Sequence, residues 1–437
     1  MAYGSLKPKG YIPRVADRQI KTFLDTFGAV EVSGTKWCGK TWSSLAHGES
    51  VSYIDDDYDV ASADPKLVTL GARPHVIDEW QLVPAIWDAV RREVDKERGL
   101  HGAWILTGSS SPISPKSDSA PKHSGAGRFG RVRMYPMSLF ESGDSAGAVS
   151  LENLFNGVFA PGMLDASALE ATELVKLACR GGWPEAIDMD ADRAQGIARE
   201  YVRTLLYDTL PRQGGDGDTV SRLLSSVART LGQAATQGTL FSDMYGETHA
   251  PLDSSQRKLV SSYLQLLRSA YVLEEIPGWV PAARSPKRLS VKPKRYLADP
   301  SLAVAQLGMG VNSLLHDWQT FGMVFENLCM RDLMVYAAAL PNAGYQPLRY
   351  YRDSSGLEVD AIIELADGRW AAIEIKASEN KVDEGLDSLR RLRRKLCDNS
   401  GARTREPEFM AVLVGLSRYA REIEKGLYVI PIRALCP

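Results

Sequence analysis

Residues 34–41 read GTKWCGKT: two glycines with four residues between them, followed at once by a lysine and a threonine. This is the spacing of a phosphate-binding loop. Backbone N–H groups of Gly34, Thr35, Lys36, Trp37, Cys38 and Gly39 would converge on phosphate oxygens, helped by the dipole of a helix starting there. Lys40 would reach the β- and γ-phosphates, and Thr41 would ligate Mg²⁺. Such a loop speaks for a nucleotide but not for its hydrolysis. Hydrolysis asks for an acidic pair at the end of a later buried strand, and "RPHVIDEWQLVP" supplies Asp78 and Glu79. Asp78 would hold Mg²⁺ through its water shell, and Glu79 would polarise the attacking water. The competing reading of an Asp-Glu pair in this place is a helix N-cap.

The elements that must carry these groups are written around them. "FGAVEV" leads into the loop as a strand, and "TWSSLA" after it is compatible with a helix. Residues 74–77 form a second strand. "GAWILTGSSS" is a third, ending in polar residues, of which Thr107 or Ser109 would sense the γ-phosphate. "HSGAGRFGRVRMYP" then places Arg128, Arg131 and Arg133 within six residues. Arg128 is the first candidate for stabilising transition-state charge, in cis or on a neighbouring subunit. A solvated basic face is the alternative. Residues 109–127, rich in Ser, Pro and Gly, are expected to form a mobile loop beside the site.

Taken together, "YIPRVADRQI", "FGAVEVSGTKWCGKT", "PHVIDEWQLVPAIWDAVRREVD", "ILTGSS", "HSGAGRFGRVRMYPMSLFESG" and "GGWPEAI" resemble successive blocks of a prokaryotic AAA-type ATPase family. Its members are similar to signal-transducing NTPases. The resemblance covers nearly the whole chain and keeps the family's order. It implies ATP as the bound nucleotide, and a C-terminal region built from a winged helix and a restriction-endonuclease-like domain of unassigned role.

From about residue 165 the pattern turns helical, broken at Gly181-Gly182. "DSSQRKLVSSYLQLLRSAYVLEEIPGW" reads as a helix capped at Asp253 or Ser254, then a short strand. Arg284, Lys287, Arg288, Lys292, Lys294 and Arg295 follow within twelve positions. Helix, strand, basic hairpin and strand is the order of a winged helix, which the resemblance also supports. Such a module puts a helix in a DNA groove with its wing on phosphates, or acts as a rigid protein–protein spacer. The basic run favours nucleic acid.

"GLEVDAIIELADGRWAAIEIKAS", residues 356–378, reads as two strands joined by a tight turn. Glu374 and Lys376 are two apart and point the same way, with Ile373 and Ile375 opposite. A two-residue Asp367-Gly368 turn would pair Asp360 with Ile375. A three-residue turn beginning at Ala366, with Gly368 left-handed, would set Asp360 opposite Glu374 and Glu358 opposite Lys376. Opposed like charges are destabilising unless a cation sits between them. The second arrangement resembles the D…E-x-K site of restriction-endonuclease-like nucleases. By that resemblance Asp360 and Glu374 would bind Mg²⁺ or Mn²⁺, Lys376 would orient or deprotonate the attacking water, and Glu326 would be the helical acid completing the site. An exposed alternating edge is the bland counterpart. The "EGLDSLRRLRRKL" helix offers phosphate contacts beside it, or a solvated face.

At 437 residues the chain exceeds one ordinary core. With 44% hydrophobic and 24% charged residues it reads as soluble and globular. It has no membrane-spanning run and no secretion leader, and its five scattered cysteines fit reduced thiols in the cytoplasm. A net charge of −2 names no partner. The expected architecture is an α/β P-loop NTPase domain (1–165), a helical and winged-helix segment (166–310) and a restriction-endonuclease-like α/β domain (311–437). The expected activity is ATP hydrolysis whose cycle controls a metal-dependent nuclease. The alternatives are a switch that binds DNA, RNA or a protein without cutting, and a scaffold that self-associates.

Overall fold

The computed structural model describes residues 6–111, 121–162, 164, 170–246, 251–282, 284–398 and 404–437. The middle of the Ser/Pro-rich stretch, residues 112–120, and the boundary expected at 165/166 lie outside them. Two compact units emerge, residues 1–136 with 265–272, and residues 137–264 with 273–437.

The first unit is built on five strands, β1 (Ala29–Gly34), β2 (Ser50–Tyr53), β3 (His75–Asp78), β4 (Trp104–Gly108) and β5 (Phe129–Met134). All neighbours pair in parallel, in the order β2-β3-β4-β1-β5. A parallel sheet needs cover on both faces, which explains its dense apolar strands. On one face Val30, Val32, Val76, Ile105 and Val132 pack with Ile20 of the helix Ala16–Leu24 and Leu45 of the helix Lys40–Ala46. On the other, Ile77, Leu106 and Phe129 meet Trp80, Trp87 and Val90, and Trp87 stacks on Phe129 with centroids 3.9 Å apart. The carboxyl ends of β1, β3 and β4 therefore share one edge, where such sheets bind ligands.

In the second unit a two-residue strand, β6 (Val149–Ser150), precedes a run of helices; the last of the run, Ser254–Ser269, has only residues 254–264 in this unit. Asp253 caps that last helix, its Oδ1 accepting from the Gln256 N–H at 2.8 Å. Strands β7 (Leu273–Ile276) and β8 (Lys294–Leu297) then form an antiparallel pair. After the helix Trp318–Ala338 come β9 (Ala343–Arg352), β10 (Glu358–Leu365) and β11 (Trp370–Ser378), an antiparallel meander. The helix Val382–Cys397 crosses to β12 (Phe409–Leu416), parallel to β11. Strands β13 (Arg421–Glu424) and β14 (Leu427–Pro431) complete a sheet of order β13-β14-β12-β11-β10-β9, and β15 (Leu435–Cys436) pairs with β6. Leu386, Leu389 and Leu392 of the crossing helix pack on Ile362, Ala372 and Val412.

A buried ion network ties this unit together. Arg331 donates to Asp299 Oδ2 at 3.0 Å and to Asp332 Oδ1 at 2.7 Å, and all three side chains are at most 1% exposed. Gly182 N–H donates to the same Asp299 Oδ2 at 2.9 Å, Asp299 Oδ1 accepts from the Ser301 N–H at 2.9 Å, and Asp332 Oδ2 accepts from the Leu139 N–H at 3.1 Å. Gly182 has to be glycine, since a Cβ there would lie 2.1 Å from the Met137 carbonyl oxygen. The Gly-Gly break in the helical pattern is thus a close-approach point for backbone.

Candidate functional site

At the carboxyl edge of the first sheet the loop after β1 closes around two glycines. A Cβ on Gly34 would fall 2.2 Å from the Met134 carbonyl oxygen, and Gly39 stands at φ 99°. The Lys40 ammonium donates to the Thr35 carbonyl at 2.8 Å. Thr41 donates to Asp78 Oδ1 at 2.9 Å, and the Thr107 hydroxyl donates to the same oxygen. Burial pushes the Asp78 carboxyl above its ordinary value, against these two hydroxyls. A hydroxyl and a carboxylate so joined are hard oxygen donors that suit Mg²⁺.

Glu79 follows at φ 58°, a left-handed conformation unusual for a side chain of this size. Its N–H reaches Thr107 Oγ1 at 3.2 Å. Its carboxylate accepts from Ser109 Oγ at 2.7 Å and from the Gln81 amide. Thr107 and Ser109, alternatives in the sequence, thus serve different acids. The hold of Gln81 on Glu79 was not foreseen, though the "DEWQ" spacing carries it. Nor was Arg14, whose buried guanidinium donates to the Cys38 carbonyl at 2.6 Å and the Tyr135 carbonyl at 2.8 Å, pinning the loop from behind.

The arginines divide by register. Ala29 pairs with Phe129 and Ser33 with Arg133. Arg128, just before β5, therefore lies at the amino edge of the sheet, roughly 20 Å from the loop at about 3.3 Å per residue. There it binds Asp95 at 2.7 Å, half exposed. A role for Arg128 in cis is corrected by this register, leaving only a role toward another subunit. Arg131 pairs with Glu31 at 3.2 Å.

In the second unit the β10–β11 hairpin adopts the longer turn. Leu365 N–H donates to the Arg369 carbonyl at 2.9 Å, and Gly368 between them stands at φ 83°. Ala361 pairs with Ile373. The next rung sets Asp360 across from Glu374, and the two-residue alternative falls away. Asp360 does not face Glu374 alone, however. Its Oδ2 accepts from the Ile375 N–H at 3.0 Å, and its Oδ1 accepts from Lys294 at 3.1 Å. Lys294 also reaches Glu358 at 2.7 Å and Glu326 at 3.4 Å, and Glu326 accepts from the Tyr296 hydroxyl at 2.6 Å. Glu374 pairs instead with Lys376 at 3.1 Å. Asp360 and Glu374 stay in hydrogen-bond contact, with Lys294 on the first and Lys376 on the second. Among the described residues no group of three or more His, Cys, Asp or Glu is drawn together to hold a metal ion.

Charge explains the ionisation. Burial and the neighbouring Asp360 push Glu326 up to about 7 and Glu374 well above its ordinary value. Burial also works to raise Asp360, but Lys294 and Lys376 outweigh it and hold that carboxyl below the usual range. Burial alone would pull Lys294 down, yet Asp360, Glu326 and Glu358 keep it well above.

Three of the six basic residues of 284–295 are answered by acids within the unit. Lys294 is buried among acids, Arg295 pairs with Glu275 at 2.9 Å, and Arg288 clasps Glu364 through two hydrogen bonds of 2.6 and 2.9 Å. Arg284 and Lys292 are exposed, so part of the expected basic charge stays at the surface while the rest answers carboxylates inside the unit. On the helix Val382–Cys397, Arg390 binds Glu424, Arg393 binds Glu406 and Lys395 binds Asp353. Arg391 and Arg394 are exposed, without an acidic partner among the described residues, and line a cleft with Ser355 and Leu357.

Residues 26–142 match the family model of an AAA domain. Residues 171–313 match a domain of unknown function, DUF8612, and residues 321–435 a second, DUF4143. No curated protein matches the chain. Among solved structures it is similar to the Walker-type ATPase PABY2304 of Pyrococcus abyssi, at 12% identity and a TM-score of 0.44, over 70% of this chain and 99% of that one. It is also similar to a DNA replication initiation factor, at 14% and 0.25 over 62% and 97%, and to the Aeropyrum pernix Orc1 protein in complex with DNA, at 15% and 0.27 over 72% and 96%. Scores of this size carry no inference about activity. Residues 26–142 are thus similar to an AAA domain, and the parallel sheet with its loop is consistent with a P-loop NTPase fold. No helix among the described residues is long and apolar enough to cross a membrane.

Proposed function

We propose that the chain hydrolyses ATP and that its nucleotide cycle controls a C-terminal domain acting on nucleic acid. The observation that carries the first half is the contact of Thr41 with Asp78, with Glu79 next along. In this reading the N–H groups of residues 34–40 cradle the phosphates, Lys40 turns from the Thr35 carbonyl to the β- and γ-oxygens, and Thr41 and Asp78 hold Mg²⁺. Bound there, Mg²⁺ would neutralise charge on the phosphates. Glu79 orients the attacking water while Ser109 and Gln81 keep its carboxylate from wandering. Arg128, exposed at the far edge, would serve a neighbouring protomer. Measuring ATP turnover by Lys40→Ala tests this reading, and undiminished turnover would overturn it.

For the C-terminal domain, the order helix, β9, β10, β11, helix, β12 supports a restriction-endonuclease-like reading. So does the Asp360–Glu374 register with Lys376 two residues on. Asp360, Glu374 and Glu326 are oxygen donors that would suit Mg²⁺ or Mn²⁺, which would supply charge neutralisation at a scissile phosphate. Lys376 would orient the water. The antiparallel β7–β8 pair after a helix supports a winged helix, whose exposed Arg284 and Lys292 suit nucleic acid while Arg288, Lys294 and Arg295 are spent on acids within the unit. A second reading, a switch that binds without cutting, is favoured by Lys294 among the carboxylates. Incubating DNA and RNA with the protein and Mn²⁺ separates the two: cleavage lost in Asp360→Ala supports the nuclease, and no cleavage under any condition supports the switch.

A further inference from the structure

Lys294 is enclosed by carboxylates. Its side chain is 2% exposed, and three carboxylates, two from β10 and one from the helix Trp318–Ala338, converge on its Nζ: Glu358 at 2.7 Å, Asp360 at 3.1 Å and Glu326 at 3.4 Å. One ammonium carries a single charge against three acids, of which Glu358 also reaches Arg352 at 3.5 Å. Tyr350 adds its ring face 5.5 Å away. The donors of cation and acid also come from different segments. Glu326, Glu358 and Asp360 belong to the segment matched at 321–435, whereas Lys294 and Tyr296, two apart on β8 and so on one face, belong to that matched at 171–313. Gly232 of the same segment closes against Glu326, where a Cβ would lie 2.7 Å from Oε1.

We propose that Lys294 is a tethered counter-ion. It occupies the cation position of the Glu326–Glu358–Asp360 cluster, and a divalent ion enters only when β8 withdraws the ammonium. This rests on the reading of the C-terminal domain as a cation site. Mg²⁺ demands oxygens at about 2.0–2.1 Å in octahedral array, so the carboxylates must close in and the ammonium must leave. Occupancy by metal and insertion of β8 are therefore mutually exclusive. Any movement of the middle segment that pulls β8 away would arm the site, and its return would disarm it.

The test is Mn²⁺ binding to the full-length protein without nucleotide, by calorimetry and by the electron-paramagnetic signal of free Mn²⁺. Wild type, Lys294→Gln, Asp360→Asn and the double variant are compared, with circular dichroism to check folding. The expected result is that Lys294→Gln binds Mn²⁺ at least about tenfold more tightly than wild type, a difference of roughly 1.4 kcal/mol, and that Asp360→Asn removes the gain. Equal Asp360-dependent affinity in wild type and Lys294→Gln would overturn the counter-ion while leaving the cation site standing. Absence of any Asp360-dependent binding in a folded Lys294→Gln would overturn the cation site itself, and the counter-ion with it. Should Lys294→Gln not fold, amine-reactive labelling of the wild type read by mass spectrometry decides. Lys294 should be inert without Mn²⁺ and several-fold more reactive with it, and unchanged labelling would overturn the proposal.

Discussion

Thr41 donates its hydroxyl to Asp78 Oδ1 across 2.9 Å, joining the first turn of the loop helix to the end of β3. Two elements 37 residues apart in sequence are thereby held at the spacing a shared Mg²⁺ would need. Lys40→Ala should lose ATP binding, whereas Glu79→Gln should keep binding and lose roughly 100-fold or more of turnover, the range typical of positioned acid–base groups. Fluorescent-nucleotide titration beside a phosphate-release assay separates the effects. Equal loss of both in Glu79→Gln would point to misfolding.

His75 opens β3, fully within the core, its ring nitrogens 2.6 Å from Ser50 Oγ and 3.1 Å from the Val68 carbonyl. Burial holds its pKa below the ordinary 6.5. A depressed folded value means stability present above the unfolded pKa and lost as pH falls through the folded one. The first unit should therefore melt at lower temperature as pH drops below about 6.5, and His75→Gln should flatten that slope. Differential scanning calorimetry across pH 7 to 5, roughly the span over which histidine charges, is the check.

Arg331 is the single cation between Asp299 and Asp332, all three buried. Arg331→Met leaves two buried carboxylates uncompensated and should cost about 3–5 kcal/mol. Urea denaturation reads this as a lower midpoint. Replacing Asp299 and Asp332 by Asn in the same chain should recover part of the loss.

Among the described residues Arg391 and Arg394 are the two bases of their helix left without acids, and both line one cleft. If nucleic acid lies there, the double Arg→Ala variant should weaken DNA or RNA binding regardless of sequence and reduce the salt slope by about 1–2. Fluorescence anisotropy at several salt concentrations measures it. An unchanged slope would remove the cleft from the binding surface.

Much of the first unit was legible before folding because its chemistry is local. The loop, the acids after β3 and the polar end of β4 each announce themselves within a few residues, and parallel strands gather them at one edge. Arg128 misled because arginines in a run look alike until register separates Arg128 from Arg133. The hairpin was half legible: turn length decided which face Asp360 took, and the sequence allowed two lengths. Lys294 was not legible. It sits in a basic stretch whose obvious partner is phosphate, and only long-range packing shows that its partners are Glu326, Glu358 and Asp360. Pattern reading sees charge, but not whether that charge is already answered within the chain.

The way β8 lends its lysine to a neighbouring segment matters for anyone dividing this chain by its sequence families. A cut near residue 315 follows the natural seam between the two matched regions, yet it would strip three acids of their amine and expose the bed in which it lay. The liberated carboxyl-terminal piece would be a different molecule, thirstier for metal and poorer in stability, and its appetite for ions would say little about the parent.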